Sequence, residues 1–342
     1  MQRLQIRSLA VLATMGMLTL TGCGTETGGP DGGRTGPASA DRTIRAHKVM
    51  QLTQVHEETG MTLLEGPAFD ENGDLLVVDV TAPPGKPKVI RVNLGKKTSR
   101  AVHTDGRGAY TSAQFSPYDG RLYLTDYAHG EVVSLDPDGD DLRTFFSGKV
   151  DGAQMNPDDI AFDKAGNLYV SDSRGLSEGE AHGRVVRISR DGQEVTVLAE
   201  DLAAANGISF DVDYRGLWIS ELTQNRISYV HLDGKGGVSS RHTAIRVDGG
   251  IAQTDSIAVD ADGNLYQALH GRPAMVVYDR HGERLGTVEI PARAAAAGLE
   301  SATNMAITPG GTTAYMTVSG PAGGYLYTFD ALAKGIRQSN GG

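Results

Sequence analysis

Glu65, Thr111, Asp158, Asn206, Asp255 and Thr303 open six copies of one short phrase and follow one another at intervals of 46, 47, 48, 49 and 48 residues. The copies run Glu65 to Phe69, Thr111 to Phe115, Asp158 to Phe162, Asn206 to Phe210, Asp255 to Val259 and Thr303 to Ile307. Recurrence at so regular a period marks a repeat protein. In a radial repeat, equivalent positions lie on a ring around one axis, so residues distant in the chain converge on one point. Here that point receives three carboxylates and one amide. A hard cation such as Ca²⁺ requires several oxygens from different directions, and Glu65, Asp158, Asn206 and Asp255 offer them. Taken singly, each could serve a turn by accepting backbone amides, Asn206 before Gly207 above all. Four oxygen donors in one register of a repeat point to a shared site.

The elements that must position this register are short strands. Each phrase is followed by a turn and a second hydrophobic run: Asn72-Gly73 before Leu75, Asp119-Gly120 before Leu122, Gly166-Asn167 before Leu168, Gly216 before Leu217, Gly263-Asn264 before Leu265, Gly310-Gly311 before Ala314. Glycine and Asn/Asp supply the positive-φ positions of tight hairpins. A third run and usually a fourth follow, with no long amphipathic helix. Three or four strands per unit of about 48 residues predict an all-β fold, a six-bladed β-propeller, rather than a pair of β-sandwiches. The last unit lacks a clear fourth strand, and Ile44 to Met50 is expected to supply it, closing the ring and leaving no open edge.

The chain begins with two arginines, Arg3 and Arg7, and an apolar run from Leu9 to Leu20 that leads into Leu20-Thr21-Gly22-Cys23. Residues 1–22 read as a secretory signal of lipoprotein type, too short for a spanning helix, with a lipid expected on Cys23. Cys23 is the single cysteine, so no internal disulfide is possible. Residues 23–40, rich in Gly, Pro, Thr and Ser, form a tether. The propeller is assigned to residues 41–337 and a short tail to 338–342. This arrangement predicts an extracytoplasmic protein, lipid-anchored to a bacterial cell membrane and monomeric. The formal charge of −10 becomes −12 without Arg3 and Arg7. An acidic chain with no Lys/Arg block is a poor partner for nucleic acid.

Residues 60 to 337 resemble the senescence marker protein, regucalcin and gluconolactonase family, and within it most of all the bacterial drug-responsive lactonases. The resemblance rests on an ordered set: Leu64-Glu65-Gly66, Asp158-Asp159, Ser171 to Gly175, Ala205-Asn206-Gly207-Ile208, Leu217-Trp218-Ile219-Ser220-Glu221 with Asn225-Arg226, then Asp255-Ser256 and Asp260. It implies a six-bladed propeller with a divalent ion, usually Ca²⁺, at the centre of one face. Its metal ligands match Glu65, Asp158, Asn206 and Asp255, with Ser256 as a fifth. Some of these lactonases hold a second, structural calcium; the segment from Lys149 to Met155 lacks a matching polar set, and no second ion is expected.

The chemistry expected is opening of a lactone by attack of water. A bound Ca²⁺ would polarise the carbonyl oxygen, and Asp255 or Asp158 would act as general base. A carboxylate that also binds a cation is normally too acidic for that task, so burial would have to raise its pKa. Arg174 could orient an anionic group or form a structural ion pair. His270 and His129 follow hairpins within reach of the cleft or lie on surface loops, and Asp159 is a further contact to substrate or loop. Asp136 to Asp141 imitates the start of a calcium loop but lacks its downstream Glu and flanking helices, which leaves a hairpin tip. Two alternatives share the fold: a calcium-dependent phosphotriesterase and a non-catalytic binding scaffold. The presence of Glu65, Asp158, Asn206 and Asp255 argues against the strictosidine synthase-like branch, which works without this metal set.

Overall fold

A computed structural model describes residues 42–175 and 180–337. The leader, tether, Cys23 and tail expected at 1–22, 23–40 and 338–342 lie outside the described residues, as does part of the loop from Leu176 to His182. The described chain is all-β, with one five-residue helix, Ala292–Ala296, and a single 3₁₀ turn, Leu222–Gln224. No helix among the described residues is long and apolar enough to cross a membrane.

The strands follow the repeat. Leu64–Phe69, Leu75–Asp79, Pro87–Asn93 and Thr98–Thr104 form one antiparallel sheet of four. Three more sheets of four have the same meander order, and they begin with the strands Tyr110–Phe115, Pro157–Phe162 and Ala205–Phe210. The remaining strands count as one nine-stranded sheet, but its two parts, beginning with Gln253–Val259 and Ser301–Ile307, meet only at the Leu269 and Ala302 pair. A two-stranded ribbon, Lys149–Val150 with Ala153–Gln154, completes the set. Each first strand contacts the first strand of the next sheet, and Ser301–Ile307 contacts Leu64–Phe69. The arrangement is propeller-like.

The apolar core lies between sheets rather than inside one. Ile160 and Phe162 pack with Tyr123 and Val132 of the preceding sheet, and Trp218 and Ile227 pack with Ile257 and Val259 of the following one. Leu64 and Phe69 pack with Ala306 and Leu326, so the first and last repeats bury apolar surface against each other.

The N-terminal segment differs from expectation. His47–Thr53 pairs antiparallel with Gly323–Asp330 and completes the last group of strands. Ile44 and Arg45 belong instead to a separate strand, Arg42–Arg45, which runs parallel to Arg284–Glu289 of the neighbouring group. The reason is burial: Ile44 and Ala46 join the cluster formed by Val288, Ile290 and Tyr327. The segment therefore binds two groups of strands instead of one.

Candidate metal and catalytic centre

Every first strand carries a register shift at the same place. The shifts fall between Glu65 and Ala68, Tyr110 and Ser112, Pro157 and Ile160, Ala205 and Ile208, Thr254 and Ile257, and Ala302 and Met305. A bulge takes residues off the ladder and re-aims their side chains. In five repeats it therefore frees the opening residue of the phrase from the ladder, whereas in the first Glu65 still pairs with Val78 and the shift follows it. Glycine makes this possible twice. A Cβ on Gly66, whose φ is +50°, would lie 2.4 Å from the Ala113 nitrogen, and one on Gly207 would lie 2.6 Å from that of Ile257. Adjacent strands close up at those two points.

Four of the opening residues meet. The Asn206 amide donates to Asp158 Oδ2 at 3.1 Å and its side chain also bonds the Asp255 carboxylate. Asp255, Asp158 and Asp159 each act electrostatically on Glu65. Glu65, Asn206 and Asp255 are buried. Burial raises the Glu65 carboxyl well above the usual range, reinforced by the Asp255, Asp158 and Asp159 charges and eased by a hydrogen bond from Asn304. Asp255 is raised by burial and by the Asp158 and Asp159 charges, against hydrogen bonds from the Ser256 amide and Asn206. Burial pushes Asp158 up to about 7, although the Ser173 hydroxyl donates to it at 2.8 Å.

Glu65 Oε2 and Asn206 Oδ1 are buried and accept no hydrogen bond among the described residues. Unpartnered acceptors among mutually repelling carboxylates are costly unless a cation joins them. The donor chemistry, all oxygen, fits a hard divalent ion. The carboxylates are bridged by the amide rather than packed together: among the described residues no three His, Cys, Asp or Glu side chains form a metal-holding group on their own.

The two threonines of the ring have another role. Thr111 Oγ1 donates to the Asp158 carbonyl at 2.8 Å, and Thr303 Oγ1 donates to the Leu64 carbonyl at 2.5 Å. They tie neighbouring strands together beside the acidic positions. Ser256 is buried, with its main-chain amide on Asp255. Asp159, 1% exposed, takes the Ser112 hydroxyl and the Ile160 amide. Arg174 is half-buried and its charge acts on Asp172. His270 Nδ1 lies 3.7 Å from Asp255 Oδ2 with 46% of its side chain exposed, and the protein packed on the ring's other side lowers its pKa. His129 instead pairs with Asp126 at 2.9 Å. The loop at Asp136 is a hairpin tip in which Asp136 Oδ1 accepts the Asp138 and Asp140 amides.

Sequence reasoning missed Ser173 and Asn304, which hold Asp158 and Glu65, and Tyr127, whose hydroxyl is raised by burial and by Asp158. Asn304 carried a signal, since it directly follows an opening residue of the repeat. Tyr127 carried none.

A second register of acids ends the second strand of each sheet. Asp79, Asp126, Asp172 and Glu221 close Leu75–Asp79, Leu122–Asp126, Leu168–Asp172 and Gly216–Glu221, and all are buried. Asp172 accepts the Asn156 amide at 2.8 Å and the Arg184 guanidinium at 2.6 and 2.8 Å. Glu221 accepts the Ala203 amide, Arg226 and Ser228. In the fifth repeat this position is Leu269, paired with Thr254, and His270 follows it at the end of Leu265–His270.

These features define an all-β, propeller-like protein with an oxygen-donor centre where its first strands meet. Residues 63–320 match the SMP-30/gluconolactonase/LRE-like region, and the chain belongs to that family. It is 30% identical over 311 residues to the lactonase drp35 of Staphylococcus saprophyticus, covering 85% of this chain and 92% of the relative. Among solved structures, it resembles regucalcin of Agrobacterium tumefaciens, described as a calcium-binding protein, with a TM-score of 0.68, 17% identity and coverage of 86% and 98%. A gluconolactonase of Xanthomonas campestris gives a TM-score of 0.67 at 20% identity, covering 83% of this chain and 89% of that one.

Proposed function

We propose that this protein is a hydrolase that opens a lactone ring, built as a six-bladed propeller around a single divalent cation, Ca²⁺ in the first instance. The observation that carries the reading is the convergence of three carboxylates, Glu65 and Asp255 buried and Asp158 half-buried, with a buried amide oxygen, two of whose acceptor atoms have no donor among the described residues. The similarity to lactonase drp35 supports the substrate class.

Glu65, Asp158, Asn206 and Asp255 would hold the ion, with Ser256 beside them. When bound, such an ion supplies Lewis acidity toward a carbonyl oxygen. Asp255 takes the proton from the attacking water as the new C–O bond forms. The acyl C–O bond of the ring then breaks, and the proton passes to the departing ring oxygen, giving a hydroxy acid. Burial raises the basicity of Asp255 toward what this task needs. Asp158, held by Ser173 and Asn206, is the positioned partner. His270 stands at the exposed side of Asp255, where it can donate to a substrate oxygen or fix the carboxylate.

The test is hydrolysis of aromatic and aliphatic lactones by the full-length protein, with added Ca²⁺ and after chelation, beside Asp255→Asn. Calcium-dependent turnover that falls about a thousandfold in the variant is expected. Calcium binding without lactone turnover would sink the reading and favour a phosphotriesterase or a scaffold. We also propose that Cys23 carries a lipid anchor, from the leader that precedes it. Cys23→Ala should move the protein from membrane to soluble fractions; unchanged fractionation would remove the anchor.

A further inference from the structure

At the far end of the first strands from Glu65 and Asp158 lies a cavity of about 800 Å³, where Phe69, Phe115 and Phe162 end their strands. With Tyr214 they give it four aromatic walls. Its volume is in the range that holds small organic ligands. Gln114 also lines it, is 2% exposed, and among the described residues makes no hydrogen bond through either its amide oxygen or its amide nitrogen. Arg91 lines it too; its outer nitrogens serve Asp70 and the Pro137 carbonyl, while buried Nε has no partner among the described residues.

The repeat shows that Gln114 is a departure. The equivalent positions are Ala68, Ala161, Ser209, Ala258 and Ala306, all buried. Five repeats thus fill this place with a small side chain, and the second fills it with a primary amide whose desolvation nothing among the described residues offsets. That amide presents an acceptor beside a donor, and Arg91 adds a donor. Asp70, Glu71, Asp119 and Asp138 line the same cavity, outnumber its Arg91 and Arg337, and disfavour an anion there.

We propose that this cavity is a second ligand site, separate from the carboxylate centre, for a small, flat, neutral molecule with an amide-like edge, such as a lactam, a carboxamide or a nucleobase. The aromatic walls cover its faces, and Gln114 pairs with its edge.

The experiment is calorimetric and saturation-transfer titration of the full-length protein with benzamide, 2-pyridone and uracil, using toluene and benzoate as controls. At least one amide probe is expected to bind, with benzoate weaker. Gln114→Ala, which restores the residue of the other repeats, and Gln114→Met, which keeps the volume, should each weaken that probe roughly tenfold and leave toluene unaffected. Without ligand, Gln114→Ala should raise the melting temperature. Asp255→Asn should leave probe binding unchanged. Failure of all three amide probes below about 5 mM, or equal affinity in both Gln114 variants, overturns the proposal.

Discussion

Two sets of buried carboxylates lie one strand apart at the same end of the sheets, and the protein treats them in opposite ways. Asp79, Asp126, Asp172 and Glu221 are each surrounded by donors from the chain: loop amides, a hydroxyl, a histidine or an arginine. Burial pushes Glu221 up, but Arg226, the Ala203 amide and Ser228 together hold it below its ordinary value, while burial keeps Asp172 above its own despite the Asn156 amide and Arg184. Glu65, Asp158 and Asp255 are eased by amides and a hydroxyl rather than by a guanidinium, they repel one another, and all three are raised. The first set fastens loops. The second stores repulsion that a cation from solution can relieve.

The contrast breaks first at Arg184. Arg184→Met leaves the Asp172 charge buried without its cation and with the Asn156 amide still on it, and should cost about 3–5 kcal/mol in urea unfolding. Glu65→Gln should leave the metal-free protein as stable as before or more so, because it removes a repelled charge. Equal destabilisation by the two variants would erase the distinction between the sets.

The pH dependence of the chelated protein comes next. Carboxyls raised on folding hold protons that the unfolded chain has already lost, so their contribution is full below the unfolded value, near 3.8 for Asp158, and is lost as pH rises through about 7. Thermal unfolding should show stability falling over that window by on the order of 2–4 kcal/mol, and Ca²⁺ at pH 8 should restore it. A flat profile would mean that the acidic ring is not strained. Gly66→Ala is a smaller, local disturbance. The new Cβ must move the Ala113 backbone at the bulge beside Glu65, costing about 2 kcal/mol and weakening calcium affinity measured by calorimetry. His270→Gln is the smallest. Stability should stay within about 0.5 kcal/mol, while lactone turnover falls roughly tenfold. A large loss of stability would place His270 with the loop-fastening acids instead.

In the sequence, Asp172 and Glu221 stand only within the motifs of the family resemblance and Asp79 and Asp126 carry no signal, whereas the second set is legible as a ring. Register was enough to choose Glu65, Asp158, Asn206 and Asp255, because a period-48 repeat aligns residues that share no local context. Hairpins were legible for the same reason, through their glycines and asparagines. The bulges were not, since the phrase looks like ordinary strand until neighbouring strands approach within contact of Gly66 and Gly207. The raised pKa values and the support from Ser173 and Asn304 depend on which groups become neighbours across sheets. The division of the N-terminal segment between two groups of strands was hidden too, because Ile44 and Val49 suit either.

That division has a consequence for how the molecule is made. His47 pairs with Thr328, about 280 residues later, so an early-synthesised strand has no partner until nearly the whole chain exists. At ordinary translation rates the wait is on the order of 15–50 s. During it, His47–Thr53 remains available to any exposed edge, and a nascent chain interrupted before Gly323 would hold the partner of Arg42–Arg45 but lack the surface that retires His47–Thr53.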